Sequence, residues 1–192
     1  MTGVALARAA SVVGHPAVLV PLAGLIAASH GAATSTQLLF IGASLLALLA
    51  VALGFTWMQV RSGRWSHVDA SGRDERTSLN VFLVVLFLVG AVLLWTRLPP
   101  MAIALALSAA VCTCALVLAR WVKASLHTAF AVFATAIVWP IKAAVAAGVL
   151  LTGFVVWSRL ALQRHVMPDI VVGLLLGGAA GAGFQWWIAC RS

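Results

Sequence analysis

The sequence predicts an all-α polytopic transmembrane helical bundle of about seven spans, six if the first is atypical, and three observations predict it. Of its 192 residues 64% are hydrophobic and only 8% are charged, where a soluble domain carries about 25% charged residues. Apolar runs of about 20 residues, the length that crosses a hydrocarbon core of about 30 Å, follow one another almost back to back. Trp57, Trp95, Trp121, Trp139, Trp157, Trp186 and Trp187 fall near the ends of those runs, where an indole buries its ring while its N–H stays wet. The spans must be helices, because an open strand edge leaves backbone groups unsatisfied in lipid. Little chain is left over, so residues 1–192 read as one integral membrane domain, expected in a bacterial plasma (inner) membrane.

The first span is expected over residues 11–29. Arg8 ahead of an apolar stretch with small residues from Ala27 to Ser29 has the outline of a signal peptide, but Pro16 and Pro21 interrupt it and favour a retained span. A second span covers about 36–60. The polar loop 61–78 follows, with three of the four acidic residues. Span three runs over 79–95, Arg97-Leu98-Pro99-Pro100 makes a turn, and span four covers 101–122. A short fifth helix opens at Lys123 to His127 and ends near Trp139, because Pro140 lacks a backbone donor and suits the first turn of the next helix. Span six covers 141–162, and the seventh starts at Met167 or Pro168 and continues to about Ile188. In that last helix Gly173, Gly177 and Gly181 share a face that admits a neighbouring backbone. Internal packing is the preferred use of that face and a homodimer seam the alternative.

A formal charge of +8 could suggest nucleic acid, but the basic residues sit singly at the ends of apolar runs. That distribution fits membrane lipid headgroups instead. Cys112 and Cys114 lie two apart on largely opposite sides of a helix and Cys190 is near the end, so neither a zinc pattern nor a disulfide framework follows. No cofactor and no metal is expected, since there is no dense acidic cluster to hold an ion.

Seven crossings put the 61–78 loop, the 123–127 segment and the 158–169 segment on one side. With the N-terminus, that side carries Arg8, Arg61, Arg64, Arg73, Arg76, Arg120, Lys123, Arg159 and Arg164, against Arg97, Lys142 and Arg191 opposite. The asymmetry predicts a cytoplasmic active face. Discounting four of the nine as phosphate ligands leaves five against three.

Charges are expensive beside hydrocarbon, so clustered ones point to use. Two histidines, several cations and an aspartate at one boundary suit phosphoryl transfer through a covalent intermediate. His165 is the candidate nucleophile, and Asp169, four residues on, is near enough to hold its tautomer. Arg159 and Lys123 would bind non-bridging oxygens and neutralise the transition state. His127 would protonate the leaving oxygen and then activate water, and Ser125 could donate a hydroxyl hydrogen bond.

The segment Ser158-Arg159-Leu-Ala-Leu-Gln-Arg-His165-Val-Met-Pro-Asp169, followed by Ile-Val-Val-Gly173, resembles the third motif of the type 2 phosphatidic acid phosphatase (PAP2) superfamily of membrane lipid phosphatases. Ala124-Ser125-Leu126-His127 resembles the second, Pro-Ser-Gly-His, and the matches together span 123–173. The resemblance implies that His165 is phosphorylated, that Asp169 supports it, that His127 is the acid and that Arg159 with Ser125 binds phosphate. It also implies a PAP2-like helical core and a lipid phosphomonoester or diphosphate substrate, of the phosphatidic acid or isoprenoid diphosphate type.

Departures accompany the match. Ala124 and Leu126 replace the family's Pro and Gly, and the first motif, a Lys with Arg-Pro seven residues later, is absent: Asp69 lies seven before Arg76, and Thr77 replaces Pro. Within the loop His67, Asp69, Arg73 and Arg76 are the candidates, Arg76 with Arg73 supplying the missing cation and Lys123 the missing lysine. Ser158 joins the expected phosphate ligands. A solvated loop obeying the charge rule explains the same residues. His15, His30 and His67 read as interfacial. The competing readings are an inactive PAP2-like lipid-phosphate binder and a small anion or lipid transporter.

Overall fold

The computed structural model describes residues 2–31, 33–66 and 72–191; His67 and Asp69 lie outside them. All regular structure among these residues is helical: α1 Thr2–Val13, α2 Pro16–His30, α3 Ser35–Arg61, α4 Arg73–Leu94, α5 Pro99–Leu118, α6 Leu126–Ile137, α7 Lys142–Ala161 and α8 Met167–Ala189. Five of them, α3, α4, α5, α7 and α8, are long and apolar enough to cross a membrane. The count is six if α1 and α2 form one span bent by 49°. Length and composition thus pick out five to six helices, against the about seven spans expected. The helix that falls short of that test is α6, whose 12 residues reach only about 18 Å at 1.5 Å per residue, although it carries the chain from the Lys123 end of the bundle to the start of α7.

Local chemistry explains several boundaries. The expected first span breaks at Gly14 and His15, because Pro16 occupies the first turn of α2 and His15 is its N-cap. The polar loop is shorter than expected: Gly72 caps α4, and the Glu75 carboxylate accepts the Gly72 N–H (2.9 Å) and the Ser66 N–H (2.9 Å). Arg73 and Arg76 consequently stand on the first turn of a helix, three apart and on one face. Pro140 falls in the turn before α7, whose N-cap is Ile141, rather than inside the helix.

The shortest helix holds the centre. α6 packs against α2, α5, α7 and α8, and Thr128, Ala129, Phe130, Ala131, Phe133, Ala134 and Ile137 are buried. The glycine face of α8 covers one side: a Cβ on Gly173 would meet the Ser125 carbonyl oxygen at 2.6 Å, and one on Gly177 would overlap the Ala129 carbonyl. That face is occupied by α6, the internal packing expected for it. Trp57, Trp95, Trp121, Trp139 and Trp186 are exposed around the bundle, and Arg61, Arg120 and Arg191 lie over the rings of Trp57, Trp121 and Trp187, as interfacial cations do.

Candidate active site

The α7–α8 connection bends tightly so that His165 and Asp169 meet. Asp169 is the third residue of α8, and its Oδ2 accepts the Val166 N–H (3.2 Å), which closes the helix N-terminus. The same oxygen lies 3.2 Å from His165 Nδ1. Pro168 sits within the first turn, where its missing N–H costs nothing, so it does not disturb this contact.

Residues distant in the chain then converge on this turn. The Lys123 N–H donates to Asp169 Oδ1 (3.1 Å), the Ser125 N–H donates to the Asp169 carbonyl (3.0 Å), and Lys123 Nζ donates to the Arg164 carbonyl (3.0 Å). The Lys123 carbonyl lies 3.1 Å from His165 Nδ1. Nδ1 thus faces two acceptors and must carry the ring proton. Nε2 is left with the lone pair. Burial, then the positive charge of Lys123, holds the His165 imidazole below its ordinary pKa, with Arg159 adding to this and Asp169 opposing it. Burial and the neighbouring Arg76 hold the Lys123 ammonium below its ordinary value, against the pull of Asp169.

These groups open onto one cavity of about 490 Å³. Its polar wall is formed by Arg73, Arg76, Lys123, Arg159, Arg164, His127 and His165, and none of the described residues lining it is acidic. Deeper, leucines of α3 and α4 with Phe87, Leu105 and Phe130 make an apolar chamber. A cationic mouth above an apolar floor suits an amphiphilic anion.

Of the expected residues, His165, His127, Arg159, Lys123, Arg73 and Arg76 line this cavity, and Asp169 stands directly behind His165. The two serines do otherwise. Ser125 is fully buried and its hydroxyl accepts from Thr128, capping α6. Ser158 is fully buried and its hydroxyl donates to the Val155 carbonyl (2.8 Å). Both expected phosphate ligands therefore serve their own helices, because a serine at a helix start or a buried turn finds a backbone partner first.

The sequence reading missed His15, Ser11 and Arg164. Arg164 lines the cavity, His15 packs its ring edge-on against His127 at 4.9 Å, and Ser11 Oγ accepts from Arg159 Nη1 at 2.6 Å. The signal was Gly14-His15-Pro16, a helix start in the middle of an apolar run. Fold and site together define a helical membrane protein with a cation-walled, apolar-floored cavity. No protein-family model, no curated protein and no solved structure matches the chain.

Proposed function

We propose that the protein is a membrane-embedded, metal-independent phosphatase of the PAP2 type that hydrolyses a lipid phosphomonoester or diphosphate through a phosphohistidine. One observation carries the reading. His165 has Nδ1 held by two acceptors, and its ring borders a cavity walled by five cations and floored by leucines. A nucleophile, its orienting acceptor and an anion pocket are thereby adjacent.

In the first step the Nε2 lone pair of His165 attacks phosphorus, the bond from phosphorus to the lipid oxygen breaks, and His127 gives that oxygen a proton. Asp169 and the Lys123 carbonyl stabilise the charge on the His165 ring. Arg159, Lys123, Arg73 and Arg76 with Arg164 balance the charge on the non-bridging oxygens. In the second step His127 takes a proton from water, the water oxygen bonds to phosphorus, and the nitrogen–phosphorus bond breaks. Inorganic phosphate leaves with His165 restored.

Binding without hydrolysis is a second reading, favoured by the placement of the Ser125 hydroxyl in the α6 cap, away from the cavity. Phosphate release from a panel of lipid phosphates by purified protein in chelator separates the two. Release that His165→Ala reduces by about 100-fold or more is expected. Full activity in His165→Ala removes the nucleophile from the proposal, activity that disappears in chelator removes metal-independence, and binding with no release favours the second reading.

The active face is proposed to be cytoplasmic. With five of the nine cations of that side lining the cavity, four remain against three, so the charge rule leans on one residue. Modification of a single cysteine introduced at exposed Arg164 by an impermeant thiol reagent, in intact cells of a Cys-free variant, reads the orientation directly. Labelling from outside would reverse it.

A further inference from the structure

The broken N-terminal span lies against the site, although its residues belong to none of the motifs. α1 packs on α7 and α2 packs on α6, and the elbow between them falls at Gly14 and His15. Gly14 is buried so close to Val155 of α7 that a Cβ would overlap the valine side chain. From this elbow Ser11 reaches Arg159 Nη1 (2.6 Å) and His15 reaches the His127 ring (4.9 Å between centroids, 86° between planes). His15, Pro16 and Ala17 line the same cavity as His127, Arg159 and His165.

We propose that the α1–α2 elbow is a third wall of the site, on which Ser11 and His15 are positioning residues, Ser11 for the Arg159 guanidinium and His15 for the His127 imidazole. This rests on the phosphatase reading for its catalytic consequence only. His15 Nδ1 accepts the Ala17 N–H (3.2 Å), so its remaining proton is on Nε2 and the ring is fixed by its own helix. Capping alone does not call for histidine, because Ser, Thr, Asn and Asp cap better. The imidazole adds what those residues lack, a rigid ring edge that limits rotation of the neighbouring His127. Arg159, on the last turn of a helix, is a long rotamer-rich side chain. A hydroxyl on one guanidinium nitrogen reduces its freedom before any phosphate arrives.

Burial holds the His127 imidazole well below its ordinary pKa, and the charges that add to this come from three elements: Arg159 of α7, then His15 of the elbow and His165 of the α7–α8 connection. Lys123 precedes α6, Asp169 of α8 acts through His165, and α5 carries no ionisable Asp, Glu, Lys, Arg or His. A neighbouring imidazole that can itself become cationic makes protonation of His127 harder. Removing it eases protonation, so the alkaline limb of the pH–rate profile, on which the acid loses its proton, moves to higher pH.

The experiment compares wild type with His15→Asn, which keeps a helix cap, and His15→Phe, which keeps a ring edge but no N–H. Release of phosphate from phosphatidic acid in mixed micelles, the pH profile and the thermal midpoint are measured for each. For His15→Asn the expected result is a kcat lower by about tenfold, with KM within about threefold, an alkaline limb at higher pH and an unchanged thermal midpoint. Ser11→Ala is expected to lower kcat/KM by about tenfold, since it loosens the Arg159 guanidinium that binds the phosphate oxygens. A folded His15→Asn with kcat within twofold of wild type and an unmoved limb overturns the proposal; if His15→Asn does not fold, His15→Phe decides, where kcat within about twofold with a limb at higher pH supports the proposal, and a kcat lower by about tenfold or an unmoved limb overturns it. Wild type that releases no phosphate defeats the phosphatase reading instead. Imidazole ¹⁵N NMR titration of His127 in wild type and His15→Asn then decides: a moved midpoint supports positioning and an identical one overturns it.

Discussion

Asp169 receives the Lys123 N–H, the Val166 N–H and the His165 ring on its side chain, and the Ser125 N–H on its carbonyl. One carboxylate thus ties the start of α8, the segment before α6 and His165 together. Asp169→Ala leaves two backbone donors without that acceptor in a largely buried place, which should cost about 1–3 kcal/mol of stability, read as a lower thermal midpoint in detergent. Asp169→Asn keeps the shape and loses the charge. Burial, with Lys123 and Arg159, already holds His165 below the ordinary imidazole value, and Asp169 opposes them. The acid limb of kcat/KM should therefore lie below about pH 6.5 in wild type and move to still lower pH in Asp169→Asn, with kcat reduced. A limb that moves upward contradicts the arrangement. The His165 and Asp169 pair was legible because Asp169 lies four positions on, across a proline start. The direction of the Ser125 and Ser158 hydroxyls was not, since a motif spacing gives no account of which backbone group a buried hydroxyl meets. Ser125→Ala should lose about 1 kcal/mol, as a lost N-cap does, with little change in KM.

Among the helices, α6 is short, buried and surrounded, and it depends on the glycine face of α8. Gly177→Ala places a methyl on the Ala129 carbonyl, where no side chain can swing aside. Backbone must move, so a loss of about 1–3 kcal/mol is expected, seen as a lower thermal midpoint with the site's pH profile degraded in parallel. Gly14→Ala meets Val155 instead, a β-branched side chain that is 1% exposed and has few rotamers to use. It should displace the elbow and raise KM through Arg159, without touching any cavity residue. The repeat of Gly173, Gly177 and Gly181 announced a close helix approach in the sequence. Which helix approached was decided by packing, because a four-residue spacing describes one face and not its partner. The break at Gly14 and the 12-residue length of α6 follow from Pro16, Ser125 and Trp139 to Ile141, whereas a reading by hydropathy alone runs through such punctuation.

Across the whole molecule, cations gather at one end of a cavity whose other end is leucine. For short-chain phosphates dissolved as monomers in water, each methylene that enters the chamber should gain about 0.8 kcal/mol, a factor of roughly four in kcat/KM until the chamber is filled. Glycerol phosphate should be a poor substrate, and a series of chain lengths measured below the micelle threshold checks the slope. A flat series would show that the chamber takes no chain. The same gradient should vanish for lipids drawn from a bilayer, where the tail leaves one apolar medium for another.

The amino-acid sequence by itself determined a helical membrane bundle, because backbone groups in hydrocarbon must be satisfied within each segment, and it placed His165 four residues before Asp169, a relation local to one turn. Tertiary structure alone decided that Lys123, Arg76 and His127 share a cavity with His165, that the two serines turn away, and that His15 meets His127 and Ser11 meets Arg159. Contacts between helices more than a hundred residues apart arise from which faces pack, and packing is a property of surfaces brought together rather than of any spacing along the chain.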